Sequence, residues 1–200
     1  MTQHYYTPHP DAAHDERDVE FEVLGQKIRC TTDAATFSRD GLDMGTRILL
    51  EALPPLRGRV LDLGCGWGAV GVALGRREPH LELVLTDINA RATALAQRNL
   101  RLNGVSNAHV VQGDGFESVE GDFDAIVFNP PIRTGKETIY GLFAGSARHL
   151  KANGEMYIVI RKQQGAESAQ RYLSTLFAQV DRIAREKGYW VLRCAAPKAV

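Results

Sequence analysis

The stretch RVLDLGCGWGAVGVALGRR, Arg59 to Arg77, decides how the rest of the chain is read. Its opening run "RVLDL" (59–63) is short and apolar, as suits a strand buried on both faces. Gly64, Gly66 and Gly68 then let the backbone turn tightly and let a ligand come close, and the helix that follows offers free N–H groups to an anion. By itself a glycine turn is weak evidence. It also serves close helix–strand packing, and with Ala69 in the last place the same letters satisfy the dinucleotide pattern. Asp62 shifts the balance. A carboxylate just before the turn repels a pyrophosphate, but it suits the amino end of an amino-acid ligand whose own carboxylate faces the helix.

Working outward, four more apolar runs read as buried strands: "LELVLT" (81–86), "AHVVQ" (108–112), "FDAIVF" (123–128) and "EMYIVI" (155–160). The segments between them read as helices. One spans about 89–103, with Asn89 as N-cap and Gly104 closing it. In another, Ile139, Leu142, Phe143, Ala147 and Leu150 recur at three- and four-residue spacing, and Asn153-Gly154 supplies the stop. This βαβ alternation predicts an α/β fold with a doubly wound parallel sheet and right-handed crossovers. The ends depart from it. "RIAREKGYWVLRC" (182–194) holds two strand-like runs joined by Glu186-Lys187-Gly188, too short for a parallel crossover, so the last strand is expected to be antiparallel. "VEFEVLGQKIRCT" (19–31) alternates around Gly25-Gln26 and reads as a hairpin laid on the core. A helix starts near Asp43 and is ended by Pro54-Pro55.

The chain of 200 residues is read as one domain: a flexible polar leader (1–18), the hairpin (19–35) and the α/β body (36–200). Hydrophobic residues make up 44% and charged residues 24%, ordinary values for a globular protein. Lys plus Arg and Asp plus Glu balance at 24 each, so any polyanion site must be local. The three cysteines, Cys30, Cys65 and Cys194, are far apart and form no C-x-x-C pair, which argues against a disulfide framework and a zinc site. A reducing cytoplasm fits that usage. The start of the chain carries no signal peptide, and no apolar run approaches the ~18 residues a membrane span needs. No histidine is assigned to metal binding or catalysis.

Ligands of open α/β sheets collect at the carboxyl ends of the strands. The second strand ends at Asp87, where a carboxylate can accept from both hydroxyls of a ribose; its plainer role is to cap the next helix. The third ends in "QGDGF", which puts Asp114 where an acid could accept from an adenine amino group or simply make an Asp-Gly turn. The fourth runs into "NPP". Each proline fixes its own φ and pushes the residue before it out of the helical region, so Asn129, Pro130 and Pro131 form a stiff segment. It is either a rigid turn or a pair of fixed acceptors, the Asn129 side-chain oxygen and the Pro130 carbonyl.

The order Asp62 with its glycines, Asp87, Asp114 and Asn129-Pro130-Pro131 resembles the class I S-adenosylmethionine-dependent methyltransferases, from about Phe37 to Cys194. That resemblance implies a seven-stranded Rossmann-like sheet with the antiparallel last strand. It assigns Gly64, Gly66 and Gly68 to the methionine end of S-adenosylmethionine, Asp87 to the ribose and Asp114 to the adenine, with Cys65, Ile88 and Gly115 beside them. "TFSRDGLDMGTRILL" (36–50), the glycine loop, "FNPPIRTGK" (128–136) and "KGYWVLR" (187–193) together look like the methyltransferase small-domain group, which places Phe37 and Asp43 at the border of the cofactor pocket. Family members with Asn-Pro-Pro methylate planar amino groups, and the best-known members of this group modify the guanine exocyclic amine of small-subunit ribosomal RNA. The implied catalytic segment is Asn129 to Ile132. The position of Ile132 is usually aromatic and stacks on the target base, so stacking here must be weaker or come from elsewhere.

Arg133 and Lys136 follow the fourth strand and Arg161 and Lys162 the fifth, so all four are expected to rim the same edge and to hold RNA phosphates there, unless they are merely solvated loop charges. The expected partner is RNA, as ribosomal RNA or a ribosomal particle, with no membrane. Other readings stay open at this stage: methylation of a protein glutamine or of adenine, a non-catalytic RNA-binding or assembly module on the same fold, and a nicotinamide oxidoreductase, which Asp62 disfavours. The target nucleotide, the oligomeric state and the need for a pre-assembled particle are not legible in the sequence.

Overall fold

A computed structural model of the protein describes residues 7–8 and 13–198. Two strands, β1 (Arg17–Val23) and β2 (Gln26–Thr32), form the hairpin, and α1 (Met44–Ala52) leads into the body. There β3 (Arg59–Leu63), α2 (Ala69–Arg77), β4 (Glu82–Asp87), α3 (Ala90–Leu102), β5 (Ala108–Gln112), β6 (Phe123–Phe128), α4 (Lys136–Arg148), β7 (Leu150–Arg161), α5 (Ala166–Leu176), β8 (Phe177–Glu186) and β9 (Tyr189–Pro197) follow. The body is one seven-stranded sheet in the order β5-β4-β3-β6-β7-β9-β8. Its strands are parallel from β5 to β7, and β9 runs antiparallel to both β7 and β8, as the short 186–188 link demands.

Alternate residues of each strand enter opposite cores. Val60 packs under α2, α3 and the hairpin with Leu74 and Leu85, while Leu61 packs under α4 and α5 with Phe143 and Leu173. All are essentially inaccessible, and each buried side chain of this size stabilises the fold by about 1.5–3 kcal/mol. The hairpin is fastened through Asn99 of α3, fully buried, whose amide accepts from the Thr31 N–H (2.8 Å) and donates to the Thr31 carbonyl (2.9 Å) and the Trp67 carbonyl (2.8 Å). One side chain thus joins the hairpin to the glycine loop.

Three local expectations are corrected. Val23 pairs with Gln26, so the hairpin turn is Leu24-Gly25, one residue earlier than Gly25-Gln26. Both turn residues have positive φ (53° and 69°), as a turn that matches strand twist requires. The helix of Ile139 and Phe143 ends at Arg148, and Leu150 already belongs to β7. Asn153-Gly154 instead sits where the pairing jumps from Phe123↔Leu150 to Ala125↔Glu155; a Cβ at Gly154 would lie 2.7 Å from the Phe123 carbonyl, so glycine there allows close backbone approach. Residues 113–122, between β5 and β6, make turns and no helix, because Gly113, Gly115 and Gly121 interrupt so short a span.

The hairpin begins at Arg17, inside the segment read as a flexible leader. Residues just before it are tied down: the Asp15 N–H (3.1 Å) and the His14 ring (2.9 Å) meet the buried carboxyl of Asp33, and Arg98 holds Glu16 (2.7 Å). A carboxylate with no solvent exposure needs such partners. The rest of the leader expectation, on residues 1–6 and 9–12, lies outside the described residues.

Candidate active site

The five parallel strands β5, β4, β3, β6 and β7 end at one edge of the sheet, and the first turn of α1 reaches it. Asp43 is the N-cap of α1, its carboxylate accepting from the Thr46 N–H (3.0 Å), so the helix starts where an Asp is followed by apolar residues at helical spacing. This first turn meets the end of β6. Asn129 donates its amide N–H groups to Thr46 Oγ1 (3.0 Å) and toward Asp43 Oδ1 (3.5 Å). An ionised carboxylate only accepts, so Asp43 fixes which end of the amide faces it. The Asn129 oxygen is thereby turned away from α1, as a free acceptor. Pro130 is buried, and the Pro131 carbonyl accepts both the N–H and the hydroxyl of Thr134 at 2.9 Å, closing the 3₁₀ turn Ile132–Thr134.

Asp62 sits 5% exposed on β3 beneath the glycine turn. Burial pushes its carboxyl up to about 7, against the lowering effect of a hydrogen bond from the Gly71 N–H in the first turn of α2; the nearby charge of Asp87 adds to the rise. Its Oδ2 is buried with no partner, and so is Thr86 Oγ1 on the next strand. Gly68 caps α2 in the left-handed region (φ 89°), where a Cβ would come within 3.0 Å of Ala96 on α3. A side chain at 68 would therefore force α2 and α3 apart. Gly64 is exposed, and a Cβ at Gly66 would meet nothing within 4 Å, so the loop presents bare backbone to a ligand. The Cys65 thiol beside them is buried, and burial holds it well above the usual thiol range.

Asp87 lines a cleft together with Gly64, Thr86, Ile88, Gly115 and Pro131. Its two oxygens accept from the Gly66 N–H (2.8 Å) and the Asn89 N–H (2.9 Å). It therefore shapes the glycine loop, while a carboxylate keeps further lone pairs for a diol. Burial holds its carboxyl above the usual carboxylate range as well. Helix capping falls to Asn89, which accepts from the Arg91 (2.9 Å) and Ala92 (3.2 Å) amides. Asp114 is exposed, and the residues on either side of it, Gly113 and Gly115, are the ones that line the cleft. The cleft suits S-adenosylmethionine: an orphaned hydroxyl at Thr86, uncovered glycines and an acid at the end of β4, with the unpartnered Asp62 Oδ2 beneath the glycine turn beside it.

Around the rim, Phe37 is 52% exposed while its carbonyl is held by Trp67 Nε1 (2.9 Å), so the 33–41 segment is locked to the glycine loop. Ile132 is half-buried against the second core and offers little free surface for stacking. Arg133, Lys136, Arg161 and Lys162 are all exposed. Lys136 lies over the Tyr140 ring (5.1 Å), Arg161 over the Tyr189 ring (5.5 Å), and Lys162 pairs with Glu167 (3.8 Å). Thr46, Thr86, Asn99 and Tyr189 were not singled out from sequence; only a helix that starts at Asp43 hinted that Thr46 faces inward.

The comparisons with known proteins agree with this geometry. A profile of the methyltransferase small domain matches residues 27–193. Protein YbxB of Bacillus subtilis is 36% identical over 197 residues, which is 96% of this chain and 98% of that one. Ribosomal RNA small subunit methyltransferase C of Escherichia coli is 40% identical over 145 residues, 70% of this chain. Among solved structures, the 16S rRNA N2 G1207 methyltransferase of T. thermophilus, in complex with AdoMet and guanosine, superposes with a TM-score of 0.82 at 25% identity over 90% of this chain. The chain spans only 41% of the E. coli enzyme and 50% of the T. thermophilus one. With the profile covering most of the chain and the sheet order matching, the protein belongs to the methyltransferase small-domain family, class I methyltransferases whose cofactor is S-adenosylmethionine.

Proposed function

We propose that the protein methylates the exocyclic amine of a nucleobase, guanine N2 in ribosomal RNA. The observation that carries the reading is the orientation of Asn129. Its N–H groups are committed to α1, so its oxygen is available to accept from the target amine, and the Pro130 carbonyl on the same stiff segment is the second acceptor. An exocyclic amine has its lone pair delocalised into the ring and is a poor nucleophile. Binding both N–H groups fixes the nitrogen and leaves its lone pair directed at the cleft. Transfer of a methyl group to that nitrogen would break the methyl's bond to sulfur as the N–C bond forms; the positive charge that grows on the nitrogen would be stabilised by the two preorganised oxygens until one N–H proton is lost to water.

Asp62 Oδ2 is suited to hold the cofactor's ammonium, Asp87 its ribose hydroxyls and the bare glycine loop its carboxylate. When bound, S-adenosylmethionine supplies an electrophilic methyl group on a sulfonium. RNA is favoured over duplex DNA because Ile132 gives little stacking energy to support pulling a base out of a helix, whereas RNA loops present unstacked bases. The ribosomal RNA assignment is supported by the E. coli and T. thermophilus relatives, and guanine N2 by the T. thermophilus one.

The test is methyl transfer from labelled cofactor to ribosomal RNA, small ribosomal subunits, duplex DNA and glutamine-containing proteins, followed by nucleoside analysis. N2-methylguanosine is expected. Asn129→Ala should cut turnover at least ~100-fold, the scale of losing a preorganised polar group, with cofactor affinity changed much less. Labelling of a protein glutamine with RNA unlabelled would overturn the assignment.

A further inference from the structure

Tyr189 opens β9 directly across from Arg161 at the end of β7. β7 is the parallel neighbour of β6, so both residues stand at the sheet edge that carries Asn129. The Tyr189 ring is set against the first turn of α1. A Cβ added to Gly45 would come within 3.1 Å of both the Tyr189 ring and Asp43 Oδ1. Glycine at position 45 thus makes room for the ring. Asp43 in turn faces Asn129, so the first turn of α1 touches both the tyrosine and the acceptor amide.

The Arg161 guanidinium lies over this ring, 5.5 Å from its centroid, and the residue is exposed. Its neighbour behaves differently: the Lys162 ammonium faces Glu167, and the Lys162 backbone N–H donates to the Gly188 carbonyl (2.7 Å), which pins the β8–β9 turn beside the ring. The four basic rim residues are therefore not equivalent. Two of them lie over aromatic rings, Lys136 over Tyr140 and Arg161 over Tyr189, and of these two only Arg161 brings a flat group to its ring.

We infer that Arg161, carried on Tyr189, stacks against the base adjacent to the methylated nucleotide in single-stranded RNA. This rests on the RNA reading above. Arginine planes and aromatic rings are the surfaces on which single-stranded bases stack. When the target base leaves its stack for the cleft, its neighbour is left with a bare face, and unstacking costs a few kcal/mol. Ile132 is half-buried and aliphatic, so it does not cover that face. The Tyr189–Arg161 pair, at the same sheet edge, does. A phosphate contact needs only the charge of Arg161, whereas stacking needs its plane.

That difference sets the test. The probe is a fluorescently labelled nine-nucleotide single-stranded RNA with one guanine among uridines, intact or with an abasic ribose on either side of the guanine, titrated by anisotropy with wild type, Arg161→Lys, Arg161→Ala and Tyr189→Leu. For wild type, one of the two abasic probes should bind roughly 5- to 100-fold more weakly, the scale of one base stack. Arg161→Lys should lose about that factor on intact RNA while keeping the salt slope, and the abasic change should then cost nothing further. Tyr189→Leu should shift binding the same way. Should wild type not bind the short probe, the same variants are read on small ribosomal subunits, where Arg161→Lys should raise KM by more than it lowers kcat. Arg161→Lys behaving as wild type in whichever assay applies, or abasic and Arg161→Lys losses that simply add, overturns the inference and leaves the proposed function standing. No methyl transfer to any RNA by wild type refutes the proposed function and this contact with it.

Discussion

Asp62→Asn separates what the buried acid does for the ligand from what it costs the fold. The wild-type carboxyl has one donor, the Gly71 N–H, and an oxygen with none, and burial pushes it up to about 7 from an unfolded value of about 3.9. The sign follows from linkage: a carboxyl that is harder to ionise when folded costs nothing below about pH 4, costs more with each pH unit up to about 7, and levels off above it. Three units at about 1.4 kcal/mol each put the plateau at about 4 kcal/mol. The asparagine keeps an acceptor for Gly71 and cannot ionise. Its unpartnered NH₂ adds a penalty that does not vary with pH. Urea unfolding of both proteins from pH 5 to pH 8 should therefore show the variant gaining on wild type by about 3 kcal/mol across that range, whatever the offset at pH 5. Calorimetry on the same samples should show S-adenosylmethionine binding to wild type tightening as Asp62 ionises, and a variant that binds at least ~10-fold more weakly at pH 8 with a flat profile. Parallel pH dependence of stability in the two proteins would refute the reasoning, because it would mean that Asp62 is not charged at a cost in the free protein.

Asp43→Asn keeps a good N-cap for α1 but can both donate and accept, so it no longer selects the Asn129 orientation; turnover should fall about 10-fold with stability changed by less than about 1 kcal/mol, read by initial rates and urea melts. Asp87→Ala should weaken cofactor binding by about 2–3 kcal/mol in calorimetry, and because Gly66 and Asn89 lose their acceptor it should lower the melting temperature too. Asn99→Ala strands the Thr31 and Trp67 backbone groups and should cost about 3 kcal/mol of stability by chemical denaturation; a loss below 1 kcal/mol would mean the hairpin is held by packing alone.

What was legible in the sequence is what local chemistry dictates. Val60 and Leu61 must go to opposite cores, Asn89 and Asp43 cap helices wherever the rest of the chain lies, and the 186–188 link is too short for anything but an antiparallel return. Asp62, Asp87 and Asn129 fall at strand ends once the alternation is recognised. What failed were boundaries where glycine has two meanings. Gly154 reads as a helix stop but relieves contact with the Phe123 carbonyl, and Gly113 and Gly115 break a segment whose neighbours are helical. Hidden from the sequence were contacts between distant segments: Asn99 with Thr31, 68 positions apart, Trp67 with Phe37, and Tyr189 with Gly45. None has a local signature, because each is set by how α1, α3 and the hairpin pack on a sheet whose strands the sequence does announce.

The opposing needs of the Asn129 amide explain why the first turn of α1 meets the end of β6. An amide presents an acceptor at one end and two donors at the other, and a rotation of half a turn exchanges them at almost no change in shape. Two prolines stiffen the backbone after it but leave that rotation free. With the donors forward, Asn129 would repel the N–H groups of an exocyclic amine instead of binding them. Thr46 cannot settle the matter, since its hydroxyl both donates and accepts. Asp43 can, because a carboxylate faced by the amide oxygen meets repulsion where the amide nitrogen meets attraction, and a difference of about 1.5–3 kcal/mol, typical of a hydrogen bond to a charged group, leaves under about a tenth of the molecules misoriented. The residue that begins α1 is thus also the one that makes Asn129 an acceptor, and the helix has to lie where its cap can reach both.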